Sequence, residues 1–331
     1  MIHRWLFRYV LARLAWAAAS VLAILVINFL VVRLVPGDAV QAIVGDFPAP
    51  PEYVETLRRD LGLDRSLPVQ LWLYLVNLAQ GNLGFSFVNR LPVLDLLVER
   101  AMYTLLLVVP SLTLAAVIGI VLALAAAPRA GSIYDSAVTA VSLFGYSVPI
   151  FWFGQILIVI FAIDLGWLPA QGMHSLRGVR TGLASVLDVA WHMILPVFSV
   201  TIFHIAVVAR VARASILQTL QQDFILTARS KGLPQQRVLW LHVLPNALIP
   251  VVTVIGYGFG HSLTGAILTE AVFAWPGLGN LFISSIANRD YPVLEGIFLL
   301  TAVTVVVANL ITDLLYLIID PRVLHEQRAH V

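Results

Sequence analysis

Apolar runs long enough to cross a lipid bilayer recur along this chain, near 10–32, 102–126, 137–163, 193–214, 247–269 and 293–319. A spanning helix needs about 20 mostly apolar residues. The pattern therefore predicts an all-α membrane protein with about six transmembrane helices. The balance of residue types agrees: 60% of the 331 residues are hydrophobic and 11% charged, against about 25% charged in a soluble domain. The run "VQLWLYLVNLA" (Val69–Ala79) is about half the spanning length. It reads as a short helix, buried or lying at the interface.

The first run follows Arg4 and Arg8 and is longer than the apolar core of a cleaved leader, so it reads as an uncleaved anchor. An inside N-terminus with six crossings returns the C-terminus to the inside. Short inner segments then carry Arg129, Arg210, Arg213, Arg229, Lys231, Arg237, Arg322 and Arg328, in line with the positive-inside rule. Arg177, Arg180 and Arg289 count against it. The expected organisation is an N-terminal transmembrane helix (1–33), an extracytoplasmic helical segment (34–100), a membrane core (101–320) with an inner polar segment at 217–246, and a cytoplasmic tail (321–331).

In the outer segment, "PEYVETLRRDLG" has helix punctuation: Pro51 and Glu52 at the start, Arg58 and Arg59 late, Gly62 as a stop. Pro68 opens a further helix and Gly81 closes it. A second outer segment covers roughly 164–192 and is rich in glycine. A third contains "EAVFAWPGLGNLF" (Glu270–Phe282), where Pro276, Gly277 and Gly279 break the helix and Trp275 suits an interfacial depth. Irregular backbone at membrane depth must be shielded by protein or face water. Glu270, Trp275, Pro276, Gly277, Gly279 and the nearby Asp290 are therefore candidates to line or gate a pathway.

Several chemistries lack their residues. There is no phosphate loop of the form G-x-x-x-x-G-K-[ST], no H-E-x-x-H helix, no G-x-S-x-G elbow and no cysteine. The chain is expected to be no enzyme and to bind no cofactor or metal. Its net charge of +2 is scattered and gives no nucleic-acid surface. His192, His204 and His261, near or within spans, read as packing residues. Asp313, one turn after Asn309 in the last span, is a candidate proton carrier; that role would make the protein a proton-coupled secondary transporter.

The only lysine, Lys231, sits in the polar interruption "TARSKGLPQQRVLWLHVLPNALIP" (Thr227–Pro250). Leu217, Leu220, Phe224 and Ala228 recur at helical spacing and predict one apolar stripe. Asp223 is the expected N-cap, Arg229 and Lys231 occupy the last turn, and Gly232 is the left-handed stop. Pro234 is expected at the first position of a second helix, with Val238 and Leu241 on its apolar side and Pro245 at its end. The result is a basic helix–glycine–helix elbow, suited to partner docking or to lipid headgroups.

This stretch resembles the cytoplasmic motif of ABC importer permeases, E-A-A-x(3)-G-x(9)-I-x-L-P. Ala228, Gly232, Leu244 and Pro245 match; Leu226, Thr227 and His242 replace the glutamate, the first alanine and the isoleucine. The departures resemble the dipeptide/oligopeptide B-type branch. "RLVPGDAV", "LGLDRSLPVQ", "GNLGFSF", "GYSVPIFWFG", "LGWLPAQG", "FAWPGLG", "RDYPVLEG" and "NLITDLLYLIIDPR" resemble that branch in order along nearly the whole chain. The resemblance implies a type I (MetI-like) importer permease fold in a bacterial inner membrane. It implies a second permease subunit, two cytoplasmic ATPase domains that bind ATP and Mg²⁺, an extracytoplasmic solute-binding protein and surrounding membrane lipid as partners. It assigns coupling to the ATPase to Phe224, Thr227, Ala228, Arg229, Lys231 and Gly232. The solute class it implies runs from dipeptides and longer peptides to glutathione and nickel complexes.

Overall fold

The computed structural model describes residues 2–34, 40, 44, 50–60, 62–175 and 180–319. The tail 321–331, and the side chains of Asp313 and His261, lie outside the described residues. Almost all regular structure is helical, apart from one two-residue antiparallel pair. Among the described residues, five helices are long and apolar enough to cross a membrane, or six if one bent pair counts as a span.

The chain folds as two compact units. The first joins Met1–Tyr103 to Gly277–Val306. It holds α1 (Ile2–Leu34), α2 (Pro51–Asp60), α3 (Leu67–Ala79), the strand pair β1 (Phe85–Ser86) and β2 (Leu91–Pro92), the start of α4 (Val93–Ala126), α12 (Leu278–Ala287) and most of α13 (Tyr291–Ile319). The short helices form where punctuation predicts. Gly62 (φ +66°) and Gly81 (φ +77°) take the left-handed conformation just past α2 and α3. At the β1–β2 hairpin, Ser86 pairs with Leu91.

The second unit joins Thr104–Pro276 to Val307–Val331. It holds the rest of α4, α5 (Ile133–Ser147), α6 (Ile150–Leu157, continued by a wider turn through Asp164), α7 (Leu183–Leu220), α8 (Asp223–Ser230), α9 (Gln235–Val238), α10 (Leu244–Gly265) and α11 (Ile267–Val272). The expected single span at 137–163 is two helices bent by 98° at Val148–Pro149. The residue before a proline is pushed out of the helical region, and Val148 has ψ 127°. Pro110 in α4 and Pro196 in α7 do not break their helices. Near them Ser111 Oγ donates to the Val197 carbonyl (3.3 Å) and Thr201 Oγ1 to the Ser111 carbonyl (3.3 Å), tying α4 to α7. Side-chain hydroxyls are one means by which membrane helices tolerate proline.

Packing of α4 on α7 is close enough to require a missing side chain. A Cβ added at Gly119 would lie 2.7 Å from Val208 Cγ1, 2.9 Å from Val208 Cβ and 3.1 Å from the Ala209 nitrogen. Two of those neighbours are fixed to or part of the α7 backbone, so rotamer adjustment cannot clear the clash. Gly119→Ala is expected to destabilise by about 1–3 kcal/mol, the range for overpacking. Val208→Ala, which leaves Cβ in place, should restore only part of it. Thermal unfolding of the two single variants and the double variant in detergent checks both outcomes.

Candidate functional site

The elbow forms because α7 stops at Gln221 and Gln222, where the chain turns before α8. The residue preceding the helix is Gln222, with no side-chain cap bond, and Asp223 is the first helical residue rather than the expected N-cap. Asp223 still places its charge in the first turn, where the helix dipole favours an anion. The Thr227 hydroxyl donates to the Asp223 carbonyl at 3.2 Å. At the other end Gly232 has φ +77°, and its N–H donates to the Arg229 carbonyl. A Cβ there would meet nothing within 4 Å. Backbone conformation, not crowding within this chain, is what asks for glycine at this position.

The turn at Gln221–Gln222 also resets the helical phase, so the stripe expected across 217–228 is not one face. Ile225 and Ala228 (6% exposed) point inward and pack with Ile216 and Ala212 of α7 and with Val238, Val243, Ala247 and Val251. Phe224, expected on that stripe, is 43% exposed, and Leu226 stands out beside it. Ala228 therefore serves the fold of the elbow; its small side chain is covered by this chain's own helices. Phe224, Thr227, Arg229, Lys231 and Gly232 form the outward surface.

The second arm differs from expectation too. Pro234 precedes α9 in extended conformation rather than opening it. Leu241, expected on the apolar side with the buried Val238, is 63% exposed. Pro245 does not end the helix: the chain continues from Gln235 to Gly260 as one span. A wide π-type turn over Leu239–Val243 immediately precedes it. Such a turn relaxes the contact between a proline ring and the carbonyl four residues back that breaks an ordinary helix.

The candidates at 270–290 divide between the two units. In the second, Glu270 is fully buried in α11 and accepts a hydrogen bond from Thr104 Oγ1 at 2.6 Å. The Trp275 N–H donates to the Glu270 carbonyl (2.8 Å), closing a tight turn in which Ala274 has φ +47°. Trp275 is fully buried rather than presented at an interface. Its size is absorbed by the packing behind the turn, and Pro276 is half-buried beside it. Gly172 N–H donates to the Phe273 carbonyl, pinning the preceding loop to this turn.

In the first unit, Gly277 precedes α12 and, like Gly279, is buried. Asp290 is also buried; Ser86 Oγ donates to its Oδ2 at 2.5 Å, with Asn89 Nδ2 at 3.5 Å. Burial pushes the Asp290 carboxyl above its ordinary value, against smaller opposing effects from Ser86, the Val293 amide and Asn89.

Two polar clusters have no signal in the sequence pattern. Asp135 forms a two-pronged ion pair with Arg213 Nε and Nη2, across 78 residues of sequence. The pattern Ser132-x-x-Asp135 marks only the local cap, in which Ser132 Oγ accepts from the Asp135 amide. Asp188 accepts from Ser175 N and Oγ (2.7 and 2.6 Å) and from Arg180 Nη1 (3.1 Å). His192 Nδ1 donates to the Asp188 carbonyl at 2.7 Å, which makes it a bonded packing residue as expected. No group of three or more metal-ligating side chains occurs among the described residues.

The family model described as "Binding-protein-dependent transport system inner membrane component" matches residues 117–325, and the corresponding N-terminal model matches residues 6–108. The di/tripeptide transport system permease protein DppB of Pseudomonas aeruginosa is 39% identical over 334 residues, covering 96% of this chain and 99% of that protein. The dipeptide transport system permease protein DppB of Escherichia coli is 37% identical over 337 residues, covering 97% and 99%. The oligopeptide transport system permease protein AppB of Bacillus subtilis is 36% identical over 316 residues, covering 95% and 98%. Among solved structures, an inward-facing form of the MetNI methionine ABC transporter superposes with a TM-score of 0.55 at 18% identity, covering 69% of this chain and 97% of that one. An amino acid ABC transporter superposes with a TM-score of 0.51 at 16% identity, covering 67% and 92%. These two structures establish the MetI-like permease fold and no more.

Two outcomes follow from the clusters. Asp135→Ala leaves the Arg213 guanidinium without its carboxylate and is expected to cost about 1–3 kcal/mol; a double-mutant cycle with Arg213→Ala in detergent unfolding measures the coupling. For Asp290 the folded-state value lies above the unfolded one, so the folded chain binds the proton more tightly. Its contribution is full below the unfolded value of about 3.9 and is lost as pH rises through the folded value. Asp290→Asn should therefore be less sensitive than the parent protein to a rise from pH 4 toward neutrality, as read by unfolding midpoints.

Proposed function

The chain belongs to the family of binding-protein-dependent transport system inner membrane components, and from that premise we propose that it forms half of the membrane pathway of an ATP-driven importer of di- or oligopeptides, coupled to its ATPase through α8. The peptide assignment is supported by the names of the relatives aligned along nearly the whole chain. In this reading a second permease subunit completes the pathway. Two cytoplasmic ATPase domains bind ATP and Mg²⁺, a solute-binding protein delivers peptide from outside, and both termini lie in the cytoplasm. The chain itself performs no hydrolysis. The relatives do not favour the proton-coupled alternative through Asp313.

The observation that carries the coupling assignment is the two-sided build of α8. Its inner face, Ile225 and Ala228, is packed into the same apolar cluster as α7 and α10. Its outer face presents Phe224, Thr227, Arg229 and Lys231 next to the open space around Gly232. A short helix held this way moves with the spanning helices it packs on, so a push on its outer face is passed inward. Phe224 offers an apolar anchor and the two cations offer attraction to an acidic ATPase groove. The turn through Trp275 and Pro276 borders the pathway in this account, with Glu270 fixing it from behind.

Gly232→Glu is expected to insert normally and to lose most peptide uptake, because the new side chain fills the approach to α8 while meeting nothing in this chain. Gly232→Ala, which adds only backbone strain of about 1–2 kcal/mol, should lose less. ATPase pull-down and uptake measured together read the result. Normal uptake with Gly232→Glu removes the coupling role from this surface.

A further inference from the structure

In the unit formed by Met1–Tyr103 and Gly277–Val306, the end of α1, helix α3 and the start of α13 surround a cavity of about 210 Å³. Arg33, Gln70, Tyr74, Tyr291 and Glu295 all line it. Four of them have a buried polar atom without a hydrogen-bond partner: Arg33 Nε, Gln70 Oε1, the Tyr291 hydroxyl and Glu295 Oε1; the Tyr74 hydroxyl meets the Asn28 side chain. Buried polar atoms are nearly always partnered, so four orphans around one cavity need an explanation. Tyr291 is only 7% exposed, which places its hydroxyl well beneath the surface.

The orphaned groups are held in place by neighbours. Phe29, fully buried, lies 5.2 Å beneath the Arg33 guanidinium and 5.6 Å from the Tyr74 ring. Gln70 Nε2 donates to the Arg65 carbonyl at 2.8 Å, which fixes the amide and leaves Oε1 as an acceptor. Asn28 Nδ2 donates to the Glu295 carbonyl at 3.4 Å, anchoring the first turn of α13. Burial, and after it the Glu295 charge, push the Tyr74 phenol well above its ordinary range despite an opposing effect from Asn28, so it remains a hydroxyl donor.

Water alone satisfies neutral orphans. It does less for the charges. Arg33 and Glu295 share the cavity wall. Ionised groups drawn out of water are costly, and the cavity sets a guanidinium and a carboxyl group around a space smaller than the roughly 300–1,000 Å³ of sites for drug-sized ligands. An arginine fork matches a carboxylate, and a glutamate matches an ammonium.

We propose that this cavity binds a small zwitterion, its carboxylate on Arg33 and its ammonium on Glu295, with the tyrosine hydroxyls and Gln70 Oε1 meeting polar atoms between them. A free amino acid and a short peptide both carry this chemistry. The inference goes beyond the coupling role and rests on the importer reading only for the peptide as a source.

The test is equilibrium binding of radiolabelled glycylglycine to the full chain with its copurifying subunits in nanodiscs, without nucleotide. The expected result is saturable binding, displaced by unlabelled glycylglycine and not by N-acetylglycinamide, which lacks both charges. Glu295→Gln and Arg33→Gln should each weaken it by about tenfold or more, the loss of one charge-assisted contact. Tyr291→Phe removes one hydroxyl, keeps the ring that packs, and should weaken it by a smaller factor even if the charge variants fail to fold. Glycine competing as well as glycylglycine identifies a free amino acid as the ligand; preference for the dipeptide identifies the transported solute. Absence of saturable binding, equal displacement by N-acetylglycinamide, or unchanged affinity in Tyr291→Phe together with any folded charge variant overturns the proposal. Because nucleotide is left out, such a failure does not touch the coupling role, and loss of coupling does not touch this site.

Discussion

In hydrocarbon a backbone amide has no water to bond, and that constraint governs where this chain is free to depart from helix. At the turn after α11, Trp275 N–H returns to the Glu270 carbonyl and Gly172 N–H reaches the Phe273 carbonyl. Behind that turn Glu270 is wholly buried and takes the Thr104 hydroxyl. Polar side chains near membrane depth meet partners in the same way: Asp135 with Arg213, Asp188 with Ser175, Arg180 and His192. An unmatched polar atom in such surroundings costs several kcal/mol, which is why a cavity lined by unpartnered groups calls for an occupant.

The same constraint suits the elbow to the coupling role proposed for it. Long helices held by full internal bonding are stiff, and α7 and α10 enter the elbow from either side. A short helix packed between them by Ile225 and Ala228 cannot shift without moving its neighbours. Interiors packed at crystal-like density transmit displacement rather than absorb it. The Gly119 contact with Val208 shows how little room that packing leaves between α4 and α7.

The number and placement of spans were legible because run length is a direct consequence of bilayer thickness, and the stops at Gly62, Gly81 and Gly232 were legible because positive φ asks for glycine. What failed was whatever depends on phase or on distant partners. The Gln221–Gln222 turn rotates α8 relative to α7, so a stripe counted across it put Phe224 inside together with Ala228, and of the two only Ala228 packs there. The π-type turn before Pro245 changes the rule by which proline ends a helix, and no residue in "LWLHV" announces it. Val148–Pro149 did carry a breaking signal, but it sits inside a continuous apolar run whose length alone reads as one straight span. Asp135 and Arg213 lie 78 residues apart, beyond the reach of any local pattern. Asp290 was singled out as a pathway residue, yet its partner Ser86 is 204 residues away.

The account centres on force generated by nucleotide hydrolysis elsewhere and delivered to this chain. Peptide uptake into vesicles carrying the assembled system, measured with and without the ATPase subunits while a protonophore collapses the proton gradient, tests that claim most directly. Uptake that survives the protonophore and vanishes when the ATPases are removed is the predicted result. Undiminished uptake after their removal would contradict it.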